Sequence, residues 1–353
     1  MVIIHHIEQI KSIYKIENYF ETIPFVGIIG KLGVVLFFVL SGFLITYLLL
    51  TEEDRFKTIS IKKFYVRRIL RIWPLYFFII ILAFLVLPNI DLFTLPGYGK
   101  EVIYKDLLLK LFLYVIFFPS LVLSLLGIVP YASHTWSIGT EEQYYLVWPV
   151  ILKYFKKNRL LLMLLIILFY LVIAKFLVSH YSDFLPYKNV LKAFWLNFNV
   201  DCMAIGGVFA ILLFEKERIL NFLLNKYLFY SALVVVLFLM INGIHIRYID
   251  YEFYSVLFGI IILNFAEGEK LGISLENRPL NYLGNISYGL YMYHPIAIVL
   301  ALYIAIKMNV TTNWFIYPLS ILLTIVLAAF SFRYFETFFL KFKNKFSNVL
   351  SGN

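Results

Sequence analysis

Two adjacent carboxylates, Glu141 and Glu142, stand in the stretch His134-Thr135-Trp136-Ser137-Ile138-Gly139-Thr140-Glu141-Glu142-Gln143-Tyr144-Tyr145, at the mouth of the apolar run Tyr144–Phe155. A charge held in or beside hydrocarbon is costly, so such residues face partners, water or substrate. Thr140 followed by Gln143 reads as a capping box that starts a helix at Glu141. Both acids would then occupy its first turn, where the helix dipole favours negative charge. Capping accounts for one acid. Two, beside His134, Trp136 and Ser137, suggest a polar site under an aromatic lid.

Other segments carry their own chemistry. His5 and His6 lie in an apolar segment, where a neutral imidazole can be buried and still accept a proton from a hydroxyl. A histidine satisfied by a nearby carbonyl is the bland alternative. Helical spacing puts Arg68 and Arg71 on one face with Arg67 next to both, and like charges so placed want an anion. Guanidinium forks match phosphate oxygens; an interfacial anchor with Trp73 at the headgroups is the other reading. Ser41 and Gly42 sit in mid-run, either for close helix packing or to bring a hydroxyl near an acyl chain. Ser287, Tyr291 and His294 share a helical face, and Pro295 frees the carbonyl of Tyr291; they form a buried network or line a substrate cavity. Asp201 is ionisable at membrane depth, and Arg333 with Glu336 is expected to form a local ion pair.

The elements that must position these groups are membrane helices. The chain has 353 residues, 62% hydrophobic and 15% charged, which is too apolar for a soluble globular domain. Ten apolar runs succeed one another: Gly33–Leu50, Ile72–Pro88, Leu107–Ile128, Tyr144–Phe155, Leu160–Val178, Leu191–Phe214, Tyr227–Ile241, Phe253–Phe265, Ile286–Ile304 and Trp314–Phe332. Met1 to Ile10 is too short to span by itself but reads as the second half of a helix, which makes eleven candidate crossings. Basic clusters fall in Arg55–Arg71, Lys153–Arg159, Lys216–Lys226 and Lys341–Lys345, all expected in the cytoplasm. Counting every run as a crossing separates the first two clusters. Treating Leu107–Ile128, which Pro119 interrupts, as a re-entrant or in-plane segment reunites them. The expected fold is therefore an all-α polytopic helical bundle, one domain over residues 1–353, with about ten crossings and both termini cytoplasmic.

Cys202 is the single cysteine, which excludes an internal disulfide and a multi-Cys metal site. No histidine pair at i, i+4 suggests a metal either. The net charge of +10 fits cytoplasmic loops and anionic lipid rather than nucleic acid, since no soluble basic domain is present.

In order along the chain, five motifs resemble the acyltransferase-3 family of integral membrane O-acyltransferases: the histidine segment Val2–Gln9, Phe37–Phe43, Arg67–Pro74, Thr135-Trp136-Ser137 with Glu141–Tyr145, and Ile286-Ser287-Tyr288 through His294-Pro295. The resemblance implies an inner-membrane enzyme that moves an acyl group, acetyl above all, from a cytoplasmic acyl-CoA to a hydroxyl of a surface glycan, with no bound cofactor. It assigns His6 as general base, with His5 the lesser match, and Arg68 and Arg71 as the donor-phosphate site. Glu141 and Glu142 would orient the base or bind the sugar, and Ser41, Trp136, Asp201, Ser287, Tyr291 and His294 would line the pocket. Two departures stand out. The family's first helix begins earlier and carries an arginine, so a shortened first helix is expected here. Asn199 stands where the family often has an arginine two residues before the acid. A glycan or lipid transporter is the runner-up, although the paired repeats common in transporters are not visible.

Overall fold

The computed structural model describes residues 1–178, 187–246, 249–267, 275–344 and 346; Lys345 of the last basic cluster lies outside them. The regular secondary structure of the described residues is helical, with no strand. The helices used below are α1 (Val2–Ile13), α2 (Pro24–Phe56), α3 (Ile61–Ile81), α4 (Leu107–Val115), α5 (Pro119–Leu125), α6 (Trp136–Tyr154) and α7 (Arg159–Phe169). They continue as α8 (Lys188–Phe198), α9 (Val200–Phe214), α10 (Lys226–Ile241), α11 (Asp250–Ala266), α12 (Ser287–Lys307) and α13 (Asn313–Ser331).

Among the described residues six segments are long and apolar enough to cross a membrane: Pro24–Phe56, Ile61–Asn89, Lys156–Leu177, Lys188–Phe214, Ser287–Lys307 and Asn313–Lys343. The runs Tyr227–Ile241 and Phe253–Phe265 fall in helices of 16 and 17 residues, about 24–26 Å long against a hydrocarbon core of about 30 Å. Leu107–Ile128 is broken, as its proline suggests. Phe117 takes a left-handed conformation (φ 61°), Pro119 opens α5, and neither short helix could span the bilayer alone.

The helices pack as two compact units. The first comprises Met1–Gly30, Val66–Trp136 and Glu276–Phe346. Its spine is the hairpin of α12 and α13. Left-handed Asn309 (φ 56°) ends α12, with Val310 N–H returning to the Ala305 carbonyl at 2.9 Å, the usual way to satisfy a helix's last carbonyls. The facing surfaces are small: Ala297, Ala301 and Ala305 on α12, and Ser320, Thr324 and Ala328 on α13, are all buried. Helix α1 lies against this hairpin and is fastened by a buried charge network. Lys11 Nζ donates to Glu8 Oε1 (2.6 Å) and to Asn313 Oδ1 (2.7 Å), and Tyr317 Oη donates to Glu8 Oε1 at 2.8 Å. The Tyr19 amide donates to the other Glu8 oxygen.

The second unit comprises Lys31–Tyr65 and Ser137–Leu275. Within it α2 and α9 touch backbone to backbone. A Cβ added at Gly42 would lie 1.9 Å from the Met203 carbonyl oxygen, and one at Gly206 would lie 2.0 Å from that of Val39. Glycine alone permits that approach. Glu53, at the end of α2, is bonded to Arg159 and to Lys156 (2.7 Å), so the first basic segment begins where the second lies. Three short π-helical stretches among the described residues, Tyr170–Leu177 in this unit and Leu82–Val86 and Phe332–Glu336 in the other, have a wider turn than an α-helix.

Gly206→Val should destabilise the chain by about 1–3 kcal/mol, the usual cost of overpacking, read as a lower thermal midpoint in detergent. Gly284→Ala, whose Cβ meets nothing within 4 Å, should be neutral. An unchanged midpoint for Gly206→Val would show that the crossing is not rigid.

Candidate active site

Histidine chemistry concentrates in the first unit. Pro295 has no N–H for the Tyr291 carbonyl, and in a helix that carbonyl would otherwise be orphaned. The His294 ring fills the gap: Nδ1 lies 2.6 Å from Tyr291 O. A carbonyl can only accept, so Nδ1 carries the hydrogen, and Nε2 of the neutral ring is a bare acceptor. That atom is 2.8 Å from His6 Nδ1, which must therefore donate. The hydrogen of neutral His6 is used on this side, and its Nε2 keeps a lone pair. One proline thus fixes two tautomers in series.

His134 joins them. Its ring centroid is 5.1 Å from that of His294 and 5.5 Å from that of Tyr291, and Tyr291 Oη donates to its backbone carbonyl at 2.6 Å. The His134 ring bonds the Met292 backbone, while its buried Nε2 has no hydrogen-bond partner among the described residues. His5 lies beside them, its Nδ1 donating to the Val26 carbonyl at 2.8 Å. Its ring occupies space that a side chain at Gly30 would need. Ser287 shares a face with Tyr291 and His294 in spacing, but it is the first residue of α12 and exposed, outside the cluster.

The arginines lie in the same unit. Arg67, Arg68 and Arg71 are half-buried on α3 and surround Lys343. Glu336 does not pair with Arg333 as the spacing suggests. Arg333 is exposed and lies over the Tyr334 ring (5.4 Å). Glu336 is buried, accepts from Ser331 Oγ (3.1 Å), which itself accepts from Tyr293 Oη (3.1 Å), and lies in the field of Arg71.

The acids require a correction. Thr140 and Gln143 form no capping box, because α6 begins at Trp136. The turn Ser133–Thr135 runs straight into it, fastened by the Val129 amide donating to Ser133 Oγ (2.7 Å) and Thr135 Oγ1 donating to Ala132 O (2.7 Å). The chain is already helical when it reaches Thr140. Trp136 is half-buried at the helix start. Glu141 and Glu142 lie in its second turn, in the second unit, so first-turn capping explains neither. Glu141 is buried and accepts from Tyr145 Oη at 3.2 Å, and that phenol is bonded to Ser41 Oγ. Glu142 is half-buried.

Asp201 is fully buried in the second unit, beside Glu252 and in the field of Lys175. Lys175 and Glu252 form a buried ion pair (2.6 Å). Lys31 and Lys175 each stand over the Tyr251 ring, at 5.3 and 5.4 Å. Lys175 is the positive charge nearby, paired with Glu252 and felt by Asp201. A lysine within Leu160–Val178 and an acid bordering Phe253–Phe265 were the signals for this cluster. The described residues hold no group of side chains suited to a metal ion.

A family model described as an acyltransferase domain matches residues 1–333. The chain belongs to the acyltransferase-3 family. Among curated relatives, a Staphylococcus aureus (strain COL) protein provisionally named an O-acetyltransferase is 27% identical over 338 residues, 88% of this chain and 53% of its own length. O-acetyltransferase OatA of S. aureus (strain NCTC 8325 / PS 47) is 26% identical over 328 residues, 87% of this chain and 52% of its own. The chain thus spans about half the length of the curated relatives it matches. No solved structure matches it. In this acyltransferase-3 chain His134 and His294 lie beside His6.

Burial, and after it the neighbouring His6 ring, press the His134 imidazole from the ordinary 6.5 down to about 3. The unfolded chain therefore binds a proton that the folded chain refuses. This contribution to stability is complete above about pH 6.5 and is lost as pH falls towards 3, by roughly 1.4 kcal/mol per pH unit. Thermal midpoints measured in detergent should fall over that window, and less steeply in His134→Gln. Identical slopes would mean that His134 is not held neutral by burial.

Proposed function

We propose that this chain is a membrane-bound O-acyltransferase that carries an acyl group from cytoplasmic acyl-CoA to a hydroxyl of a cell-surface glycan or its lipid-linked precursor. The acyl group is acetyl, in keeping with the names of its relatives. The observation that carries the proposal is the line from the Tyr291 carbonyl through His294 to His6, which leaves His6 Nε2 as a bare base. An acceptor hydroxyl gives its proton to that nitrogen as its oxygen attacks the acyl carbon. The imidazolium so formed is stabilised through Nδ1–H by His294, and the tautomers need no rearrangement, which is how a positioned base gains its advantage. Arg68 and Arg71, with Arg67 and Lys343 beside them, hold the phosphates of the donor. The Glu141–Glu142 pair provides carboxylates for acceptor hydroxyls.

The proposal includes ten crossings of the inner membrane, with Leu107–Ile128 returning to the face it left and both termini in the cytoplasm. The break at Phe117 and the Glu53–Arg159 pair support that arrangement.

Purified full-length protein given labelled acetyl-CoA and candidate glycans should move label into glycan. Substrate counterflow with no covalent transfer would instead identify a carrier. His6→Ala should lower transfer about 10²–10⁴-fold, the range for a general base. Arg68→Ala should raise the KM for acyl-CoA with kcat little changed. His294→Ala should lower kcat while leaving the donor KM alone, and wild-type kcat in that variant would exclude the histidine line from the reaction.

A further inference from the structure

Three side chains of the second unit form a hydrogen-bonded line, of which the reaction above uses only the carboxylate of Glu141. Tyr145 Oη donates to Glu141 Oε1 at 3.2 Å, and Ser41 Oγ is bonded to the same phenol oxygen. The phenol has one hydrogen and a carboxylate can only accept, so that hydrogen points at Glu141. The serine must then donate its own hydrogen to Tyr145, which leaves the lone pairs of Ser41 Oγ for an electrophile. Glu141 and Tyr145 are four residues apart on α6 and share a face. Ser41 comes from α2, one residue before the glycine that lies against Met203, so the backbone beneath it is held by the helix crossing. All three side chains are at least nine-tenths buried. Hydroxyl, relay and carboxylate in this order are the parts of an activated nucleophile.

We propose that Ser41 is an acyl carrier, acylated by the thioester donor before the acyl group passes to the acceptor. This rests on the acyltransferase reading above. In the first step Ser41 Oγ bonds to the acyl carbon and the C–S bond breaks. The serine proton passes to Tyr145 as the tyrosine proton passes to Glu141, and the departing thiolate takes a proton from water. In the second step an acceptor hydroxyl attacks the serine ester, its proton passing to the base that activates it. The C–Oγ bond breaks as Tyr145 returns a proton to Ser41 and recovers one from Glu141. The carboxylate pair is thereby divided, with Glu141 serving the carrier and Glu142 left for the acceptor.

The test mixes the purified full-length chain with radiolabelled acetyl-CoA without acceptor, quenches in acid and maps the label by peptide mass spectrometry. One label is expected, on the peptide containing Ser41 and released by hydroxylamine. Ser41→Ala should lose the label and lower transfer at least about 100-fold, and Tyr145→Phe should slow labelling roughly 100-fold with the label still at Ser41. Ser41→Cys, which fills the same space, should take label as a thioester; a folded Ser41→Cys chain without label counts against the proposal. Transfer at the wild-type rate by Ser41→Ala, or label on another residue, overturns the carrier and leaves the acyltransferase standing. A wild-type chain that transfers nothing from acetyl-CoA overturns both.

Discussion

A carbonyl that has lost its donor, in a place where water is scarce, must find another. In α12 the residue that loses its donor is Tyr291, the cause is Pro295, and the replacement is the His294 ring. An unmet carbonyl would cost on the order of 1–3 kcal/mol, so the ring is held by more than a passing contact. The consequence is set by a count of hydrogens. A neutral imidazole has one, and spending it on a carbonyl decides what the other nitrogen can do. His294 passes that decision to His6. With an ordinary residue at 295 the helix would satisfy its own carbonyl, and neither ring would have a prescribed tautomer.

The same demand is met elsewhere in the molecule, where several buried charges find opposite charges, hydroxyls or backbone groups. Glu8 meets Lys11, Tyr19 and Tyr317; Lys175 meets Glu252; Glu53 meets Lys156 and Arg159. Such pairs contribute little net stability, but removing one partner strands the other. Their effect is to specify which helices lie together. Glu8 and Lys11 fasten α1 to α13 about one turn beyond His6, so the base is located by an ion pair that never touches a substrate.

Much of this was legible in the residues alone. Ionisable groups in apolar surroundings pointed to the histidine segment, the arginines, the acids and Asp201, because hydrocarbon makes such residues expensive wherever they occur. The proline that frees the Tyr291 carbonyl was visible too, as was the break in Leu107–Ile128. What spacing could not show was partnership across the chain. His6 and His294 are far apart in sequence, and no local pattern joins them. Nor could it show that Lys175 would pair with Glu252 beside Asp201. The capping box failed for a related reason. Thr140 and Gln143 have the right separation, but upstream turns had already started the helix, and a cap signal inside a formed helix has no free amides to satisfy. Spacing also did not show that, among the described residues, six segments are long and apolar enough to span while other apolar runs form shorter helices.

The π-helical stretch at Phe332–Glu336 links winding to charge. In a regular α-helix residues five apart point roughly 140° away from each other, and Ser331 could not reach Glu336. The wider turn brings them together and so keeps the carboxylate near Arg71. If that stretch were wound one residue tighter, Glu336 would swing off the Ser331–Tyr293 line and Arg71 would lose its neighbouring anion. The helix would then act as a dial, its pitch setting how much positive potential the arginine cluster shows to an incoming phosphate.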